Sequence, residues 1–111
     1  MTHLLHRIDD AMEFQSDGHA GVHPLRLAGT STLEPISVVL SHYEPAGHAD
    51  RSCLNLDTTY LVISGRLTIT LDDEAIELNP LDSMFLPAGS MRAVDNFAEE
   101  PASLLVIRPN Q

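Results

Sequence analysis

From Pro24 onward, short apolar segments that alternate with polar residues are separated by turn-forming Gly, Pro, Asn or Asp at a spacing of roughly 8–12 residues. Residues 67–71 alternate as a strand does, and residues 36–43 are β-branched at their start and have two faces. Residues 58–63 also have the composition of a strand. No segment has a long helical period, so the crossover helices of a parallel α/β fold are missing. The pattern predicts an all-β protein of about eight short antiparallel strands, folded as a sandwich or barrel.

The chain has 111 residues, which corresponds to one domain and is too short for a β-propeller. Residues 1–23 are polar, and their one apolar patch consists of Leu4, Leu5 and Ile8. We interpret residues 1–23 as an N-terminal arm and residues 24–111 as the barrel domain.

Two segments fall outside the strand pattern. Residues 9–14 predict a short helical turn. Residues 44–57 contain Pro45, Gly47 and Asn55 and have no clear periodicity. A structureless stretch of this length in a small domain is typical of a functional or unusual loop, so we predict one here.

The charge is strongly negative, since 16 acidic residues face only 6 basic ones, and all 6 basic residues are Arg. A net charge of −10 disfavours binding to nucleic acids and to anionic membrane surfaces. Without Lys there is no lysine Schiff base. The apolar runs are far shorter than a membrane span, the N-terminal residues lack a signal peptide's apolar stretch, and the single Cys53 allows no intrachain disulfide. These features predict a cytoplasmic protein.

Residues 58–96 resemble the cupin superfamily. Residues 59–67 look like the strand, tight turn and Gly that end the first cupin motif. Pro87 and Gly89 match the P-x-G of the second motif, and Asn96 falls at the position of its Asn. The resemblance implies a double-stranded β-helix, also called a jelly-roll antiparallel barrel. Fold alone does not determine function.

The resemblance also implies a metal site of three His and one Glu or Gln, but this chain departs from that pattern. Counting from Gly65 and Gly89, the four ligand positions hold Thr58, Arg92 and either Arg51 with Cys53 or Ser52 with Leu54. Arg stays protonated and cannot bind a metal, and Thr is a poor ligand without carboxylate help. We therefore expect no ordinary cupin metal site and no cofactor.

One interpretation is a metal-free pocket for a small anionic metabolite, anchored by Arg92 and Arg51. A guanidinium inside a barrel needs a partner, because an unpaired buried charge is very costly. A ligand carboxylate or phosphate could be that partner. Equally, the partner could be one of the chain's own acids, Asp50, Asp57 or Asp95. Neutral polar groups lining the pocket would be Cys53, Thr58 and Tyr60.

A second interpretation is a displaced metal site in the predicted loop. His42, His48 and Cys53 lie in or beside it, with Asp50 among them. Imidazole, thiolate and carboxylate groups suit zinc, iron or nickel. The spacing matches no compact ligand motif, and exposed histidines without a metal role are the commoner outcome.

A third interpretation is metal-free catalysis by an isomerase, cyclase or lyase. The cupin superfamily includes metal-free sugar epimerases and isomerases that transfer protons with His and Tyr. A barrel-facing His42 together with Tyr60 could serve as general base and general acid. Tyr60 could also be a core aromatic whose hydroxyl has a local partner.

The resemblance further implies a homodimer. Small cupins dimerise by exchanging N-terminal strands or by packing their sheet faces. Leu4, Leu5 and Ile8 are the candidate contacts, because they are isolated from other apolar residues in the arm.

Overall fold

The computed structural model of the protein describes residues 3–111. Within them the chain forms a three-residue 3-10 helix, Ile8–Asp10, and no helix long and apolar enough to span a membrane. The same residues form eight strands: β1 (His19–Ala28), β2 (Ile36–Cys53), β3 (Thr58–Ser64), β4 (Leu67–Thr70), β5 (Ala75–Leu78), β6 (Ser83–Leu86), β7 (Met91–Asp95) and β8 (Ala102–Pro109).

All strand pairings are antiparallel, in the order β5-β4-β7-β2-β8-β3-β6, with β1 also paired to β2. The 18-residue β2 belongs to both halves of this arrangement. Its first half pairs with β8, starting with Ile36 opposite Pro109, and its second half pairs with β7, ending with Cys53 opposite Met91. The result is a nearly closed antiparallel barrel, which confirms the predicted all-β jelly-roll architecture.

The prediction of an irregular loop over residues 44–57 is wrong, because β2 continues through most of them. The strand bends at Ala46, where φ is 67°. Gly47 follows, and it packs so closely on β1 that an added Cβ would lie 2.4 Å from a backbone oxygen. Asn96 stabilises the bend, since its side-chain amide donates to two β2 carbonyls at 3.2 Å and its backbone pairs with Ala46 and Gly47. Pro and Gly are tolerated in strands at such bends.

The N-terminal segment also differs from its prediction. Residues 9–14 do not form one helical turn: only Ile8–Asp10 is helical, and residues 12–14 run extended beside β1. Two backbone hydrogen bonds hold them there, from Phe14 N to the Pro24 carbonyl at 3.1 Å and from Arg26 N to the Met12 carbonyl at 3.4 Å. Since β1 begins at residue 19, the first barrel strand starts before the boundary predicted between residues 23 and 24.

Leu4, Leu5 and Ile8 lie on the surface, with 47%, 69% and 58% of their areas exposed. Nothing in residues 3–111 covers them, and their role as a dimer contact stays a prediction.

Residues 36–43 of β2 alternate between two faces as predicted, and the face that points into the barrel is the more polar of the two. Ser37, Val39, Ser41 and Tyr43 are buried in the barrel, while the face formed by Ile36, Val38, Leu40 and His42 is outside. Aliphatic side chains fill the part of the interior that β4, β5 and β7 enclose, and they include Leu67, Ile69, Leu78 and Val94. The polar positions of β2 line the opposite part of the interior, where a cavity remains.

Candidate functional site

A cavity of about 250 Å³ lies inside the barrel between β2, β3, β7 and β8. Its apolar lining includes Val39, Leu54, Leu104 and Val106. Its polar lining includes Ser41, Tyr43, Ser52, Tyr60 and Arg92. Concave sites with an apolar wall and a few converging polar groups are the usual places where proteins bind small molecules.

Arg92 is the central polar group. It lies on β7 opposite Ser52 on β2, and only 7% of its surface is exposed. Its Nε donates to the Tyr60 hydroxyl at 2.8 Å, and its Nη1 donates to the Asp50 carbonyl and to Ser52 Oγ, both at 2.9 Å. All three acceptors are neutral. The guanidinium is therefore held in one orientation by hydrogen bonds without being neutralised.

The chain's own acids do not neutralise Arg92. Among residues 3–111 Arg92 forms no ion pair, although the sequence left Asp50, Asp57 and Asp95 open as partners. Asp50 contacts Arg92 through its backbone carbonyl, and its carboxylate lies 3.4 Å from His48. Asp57 accepts a hydrogen bond from the backbone of Ala88 at 2.9 Å. Within the described residues the buried positive charge has no negative partner.

Tyr43 is the second donor in the polar lining of the cavity, and it was not predicted as a site residue. Its side chain is 3% exposed, and within residues 3–111 its hydroxyl has no hydrogen-bond partner. Burial raises the pKa of Tyr43, with a further contribution from Tyr60 that outweighs the opposing influence of Arg92. The hydroxyl is thus protonated at neutral pH and can donate. Its position on the Val39 face of β2 was the available signal.

Arg51, the other predicted anchor, lies outside the cavity, so its assignment as an interior residue is wrong. Its side chain is half-exposed and pairs with Asp72 at 3.1 Å. The reason is register: Ser52 is opposite Arg92 and shares its face, so the preceding residue must point the other way. The shorter motif spacing, with Ser52 and Leu54 at the inner positions, is the correct one.

The three neutral residues predicted to line the pocket lie at different positions relative to the cavity. Tyr60 lines the cavity and accepts the Arg92 hydrogen bond. Cys53 lies at the exposed edge of the cavity. Thr58 is buried but does not line it, and its hydroxyl donates to the Leu56 carbonyl at 2.9 Å.

His42 does not face the barrel interior, so the proposed acid–base pair with Tyr60 is wrong in its geometry. His42 is exposed on the outer face of β2, where its Nδ1 is 2.8 Å from Ser103 Oγ. Tyr60 points inward and is 3% exposed. The barrel wall separates the two side chains.

The displaced metal site is not assembled either. His42 contacts Ser103, while the His48 ring lies against the Ala46 carbonyl and Asp50, away from Cys53. In the part of the chain that the structure describes, no three His, Cys, Asp or Glu side chains are arranged to hold a metal ion.

The positions that correspond to the cupin metal ligands do not fit a divalent cation. Arg92 has no lone pair to offer and would repel the ion, and Leu54 has no donor atom. The Thr58 hydroxyl is engaged with a backbone carbonyl. The chemistry of this wall suits an anion.

Two further arginines lie beside the cavity and were missed by the sequence arguments. Arg108 on β8 lines it and forms neither a hydrogen bond nor an ion pair within residues 3–111. Arg26 on β1 donates from Nη1 to Ser37 Oγ at 3.1 Å, and its guanidinium stacks over the Phe14 ring at 4.9 Å. The signal for Arg108 was its place on the face that Leu104 and Val106 bury.

The N-terminal strap, defined as residues 12–17, forms one side of the cavity mouth. Phe14, Ser16 and Asp17 belong to the lining. Beside it, His23 on β1 binds Glu44 through Nε2 at 2.7 Å and lies 3.4 Å from Glu13 of the strap through Nδ1. His23 thus connects the strap to β2.

We expect this connection to depend on pH. The hydrogen bond to Glu44 is the main cause of a raised pKa of His23, Glu13 adds to it, and burial opposes it only partly. Because the pKa is raised on folding, the stabilising effect is complete below the ordinary value of 6.5 and is lost as the pH rises through the folded value.

The measurement is the melting temperature of His23→Gln against wild type between pH 5 and pH 9. The variant should melt below wild type in acid and converge with it in alkali, by a small amount because the groups are exposed. His3→Gln, which removes an exposed histidine without such contacts, is the matched control. A difference that grows with rising pH would contradict the assignment.

Comparisons with known proteins agree with the barrel. Residues 54–108 match the family model "Cupin domain". The β-D-galactosidase Rv1717 of Mycobacterium tuberculosis is 34% identical over 104 residues, which cover 92% of this chain and 90% of that protein. The polyketide cyclase RemF of Streptomyces resistomycificus superposes with a TM-score of 0.83 at 17% identity, covering 100% of this chain and 81% of that one.

A cupin superfamily protein of Desulfitobacterium hafniense superposes with a TM-score of 0.71 at 24% identity, covering 90% of this chain and 84% of that one. At these identities the two solved structures establish the fold alone. With the sequence relative and the family model, they lead to one assignment: the chain belongs to the cupin family and is a small cupin-2 domain protein.

Proposed function

We propose that the protein binds a small anionic metabolite, a carboxylate, in the barrel cavity, with Arg92 as the anchor. The observation that carries this proposal is a buried guanidinium that neutral groups hold in place and no acid of the described chain neutralises. An uncompensated buried charge is costly, and a ligand carboxylate removes that cost. The single Cys53 fits a reducing compartment, and we place the function in the cytoplasm.

The remaining donors define how the carboxylate binds. Arg92 uses Nε and Nη1 for protein contacts, so Nη2 is left for a ligand, and Tyr43 lines the same cavity. One charged donor and one neutral donor suit a group with a single negative charge. Val39, Leu104 and Val106 offer an apolar wall to the rest of the molecule. A ligand with a carboxylate and an apolar body would bind the polar groups through its carboxylate and pack its body against the apolar side chains.

A thermal-shift titration with matched pairs of probes tests this proposal. Benzoate and butyrate are compared with benzamide and butyramide, which have nearly the same shape and no charge. We expect saturable stabilisation by the acids, about 2.7 kcal/mol at a hundredfold excess over Kd and hence several degrees, and little by the amides. Equal effects of acid and amide, or none from either, would reject the proposal.

A second candidate is the hydrolysis of a small glycoside, because the relative that covers 92% of this chain is named as a β-D-galactosidase. Glycosidases normally use two carboxylates that flank the bond. Among residues 3–111 the cavity lining includes one, Asp17 at the exposed rim. The binding role therefore has the stronger support. Release of chromophore from a nitrophenyl β-galactoside, lost in Asp17→Asn, would favour the enzyme instead.

A further inference from the structure

A second, smaller cavity of about 200 Å³ adjoins the first. Phe14, Val39 and Arg108 line both, so the two spaces share a common wall. The second cavity also contains Arg26 and the buried Ser37, which the first does not. The chain thus places a further pair of arginines next to the Arg92 cavity.

Both arginines of this pair have guanidinium N–H donors that are available to an anion. Arg108 is half-buried, and its guanidinium makes no hydrogen bond and no ion pair within the described residues. Arg26 uses one nitrogen for Ser37, and Phe14 covers its face, so its other donors stay free. Ser37 is opposite Arg108 in the β2–β8 register, which places both guanidinium groups at one point of the wall.

The arginines beside the two cavities lack carboxylate partners although the chain is strongly acidic. The chain has 6 arginines against 16 acids, yet Arg51–Asp72 is the one arginine–carboxylate ion pair among residues 3–111. Three arginines without acid partners lie around the two adjacent cavities: Arg26, Arg92 and Arg108. A positive interior in so acidic a chain attracts anions to this place and repels them elsewhere.

We propose that the ligand is a dianion, a small dicarboxylate that spans both cavities. One carboxylate binds Arg92 and Tyr43, and the other binds Arg26 and Arg108, with the ring of Phe14 between them. This inference rests on the function proposed above and specifies its ligand class. Two separate anion sites in adjacent cavities favour molecules with an acid group at each end over those with one.

The test compares dicarboxylates from malonate to adipate with monocarboxylates of equal chain length, by isothermal titration at low salt. We expect one dicarboxylate length to bind best, about tenfold or more tighter than its monocarboxylate, which is the factor supplied by one additional charge-assisted hydrogen bond. Arg26 lines the second cavity and not the first, so Arg26→Met should remove this preference and leave monocarboxylate binding intact. Arg66→Met, which removes an exposed arginine of a groove outside both cavities, is the control and should keep the preference.

The outcomes separate the two proposals. If mono- and dicarboxylates bind equally and Arg26→Met changes neither, the dianion inference is wrong while the Arg92 site stands. If no carboxylate binds wild type, both proposals are wrong. Melting curves without ligand verify that each variant is folded, and Arg26→Gln serves as the second variant if Arg26→Met does not fold.

Discussion

Replacing Arg92 with methionine should abolish carboxylate binding in a protein that still folds. Truncating one partner of a buried charged hydrogen-bond pair costs about 2–5 kcal/mol, so we expect the affinity to fall by about two orders of magnitude or more. The unfolding free energy should change by no more than about 2 kcal/mol. The loss of hydrogen bonds to Tyr60, Ser52 and the Asp50 carbonyl is offset, because an uncompensated buried charge is also removed.

The measurement combines titration with a carboxylate and urea unfolding of the free protein. Arg92→Lys retains the charge but cannot reproduce the contacts of the planar guanidinium, so it should bind at an intermediate level. Arg66→Met has the same loss of charge outside the cavities and should bind like wild type. Unchanged carboxylate binding by Arg92→Met would show that the anchor is elsewhere.

Replacing Gly65 with alanine should destabilise the barrel severely. Gly65 joins β3 to β4 with φ at +71°, and an added Cβ would lie 2.5 Å from the Pro101 carbonyl oxygen and 2.8 Å from Ala102 Cα. Left-handed backbone costs alanine about 1–2 kcal/mol, and the steric conflict adds about 1–3 kcal/mol. The sum is a large part of the 5–15 kcal/mol that keeps a typical domain folded.

Gly89→Ala is the matched control for Gly65→Ala. Gly89 also has a positive φ, +92°, but an added Cβ would meet no atom within 4 Å. It should show the backbone cost alone, about 1–2 kcal/mol. Urea unfolding of the two variants measures the difference. Equal destabilisation would mean that the backbone near Pro101 moves aside and that the contact is not rigid.

The fold could be predicted because strands and turns are encoded locally. The composition of residues 58–63, the alternation over residues 67–71 and the turn residues between them are local signals. The second half of β2 could not be predicted in this way. Its bend at Ala46 and Gly47 depends on Asn96, which lies about fifty residues further along the chain. A local pattern cannot reveal a partner at that distance, so Pro45 and Gly47 suggested a loop.

The site could be predicted only in part, because alternation defines two faces without saying which is inside. The family spacing indicated an interior Arg92, and the structure has it there. On β2 the outer face carries Val38 and Leu40 and the inner face carries Ser41 and Tyr43, so hydrophobicity does not identify the buried face of this strand. The polar positions of the inner face line the cavity, so at this place the usual rule is reversed. The predicted barrel-facing position of His42 is therefore wrong.

The pairing of β2 with both β7 and β8 affects how the chain folds. The first half of β2 pairs with β8, so that Ile36 meets Pro109 across more than half the chain length. Pairings between such distant segments incur a loop-closure cost before any contact compensates it, and proteins rich in them fold slowly, in milliseconds to seconds. During synthesis β2 cannot acquire this partner until β8 has left the ribosome. Because β8 contributes Leu104, Val106 and Arg108 to the lining, the cavity cannot be complete before this pairing forms.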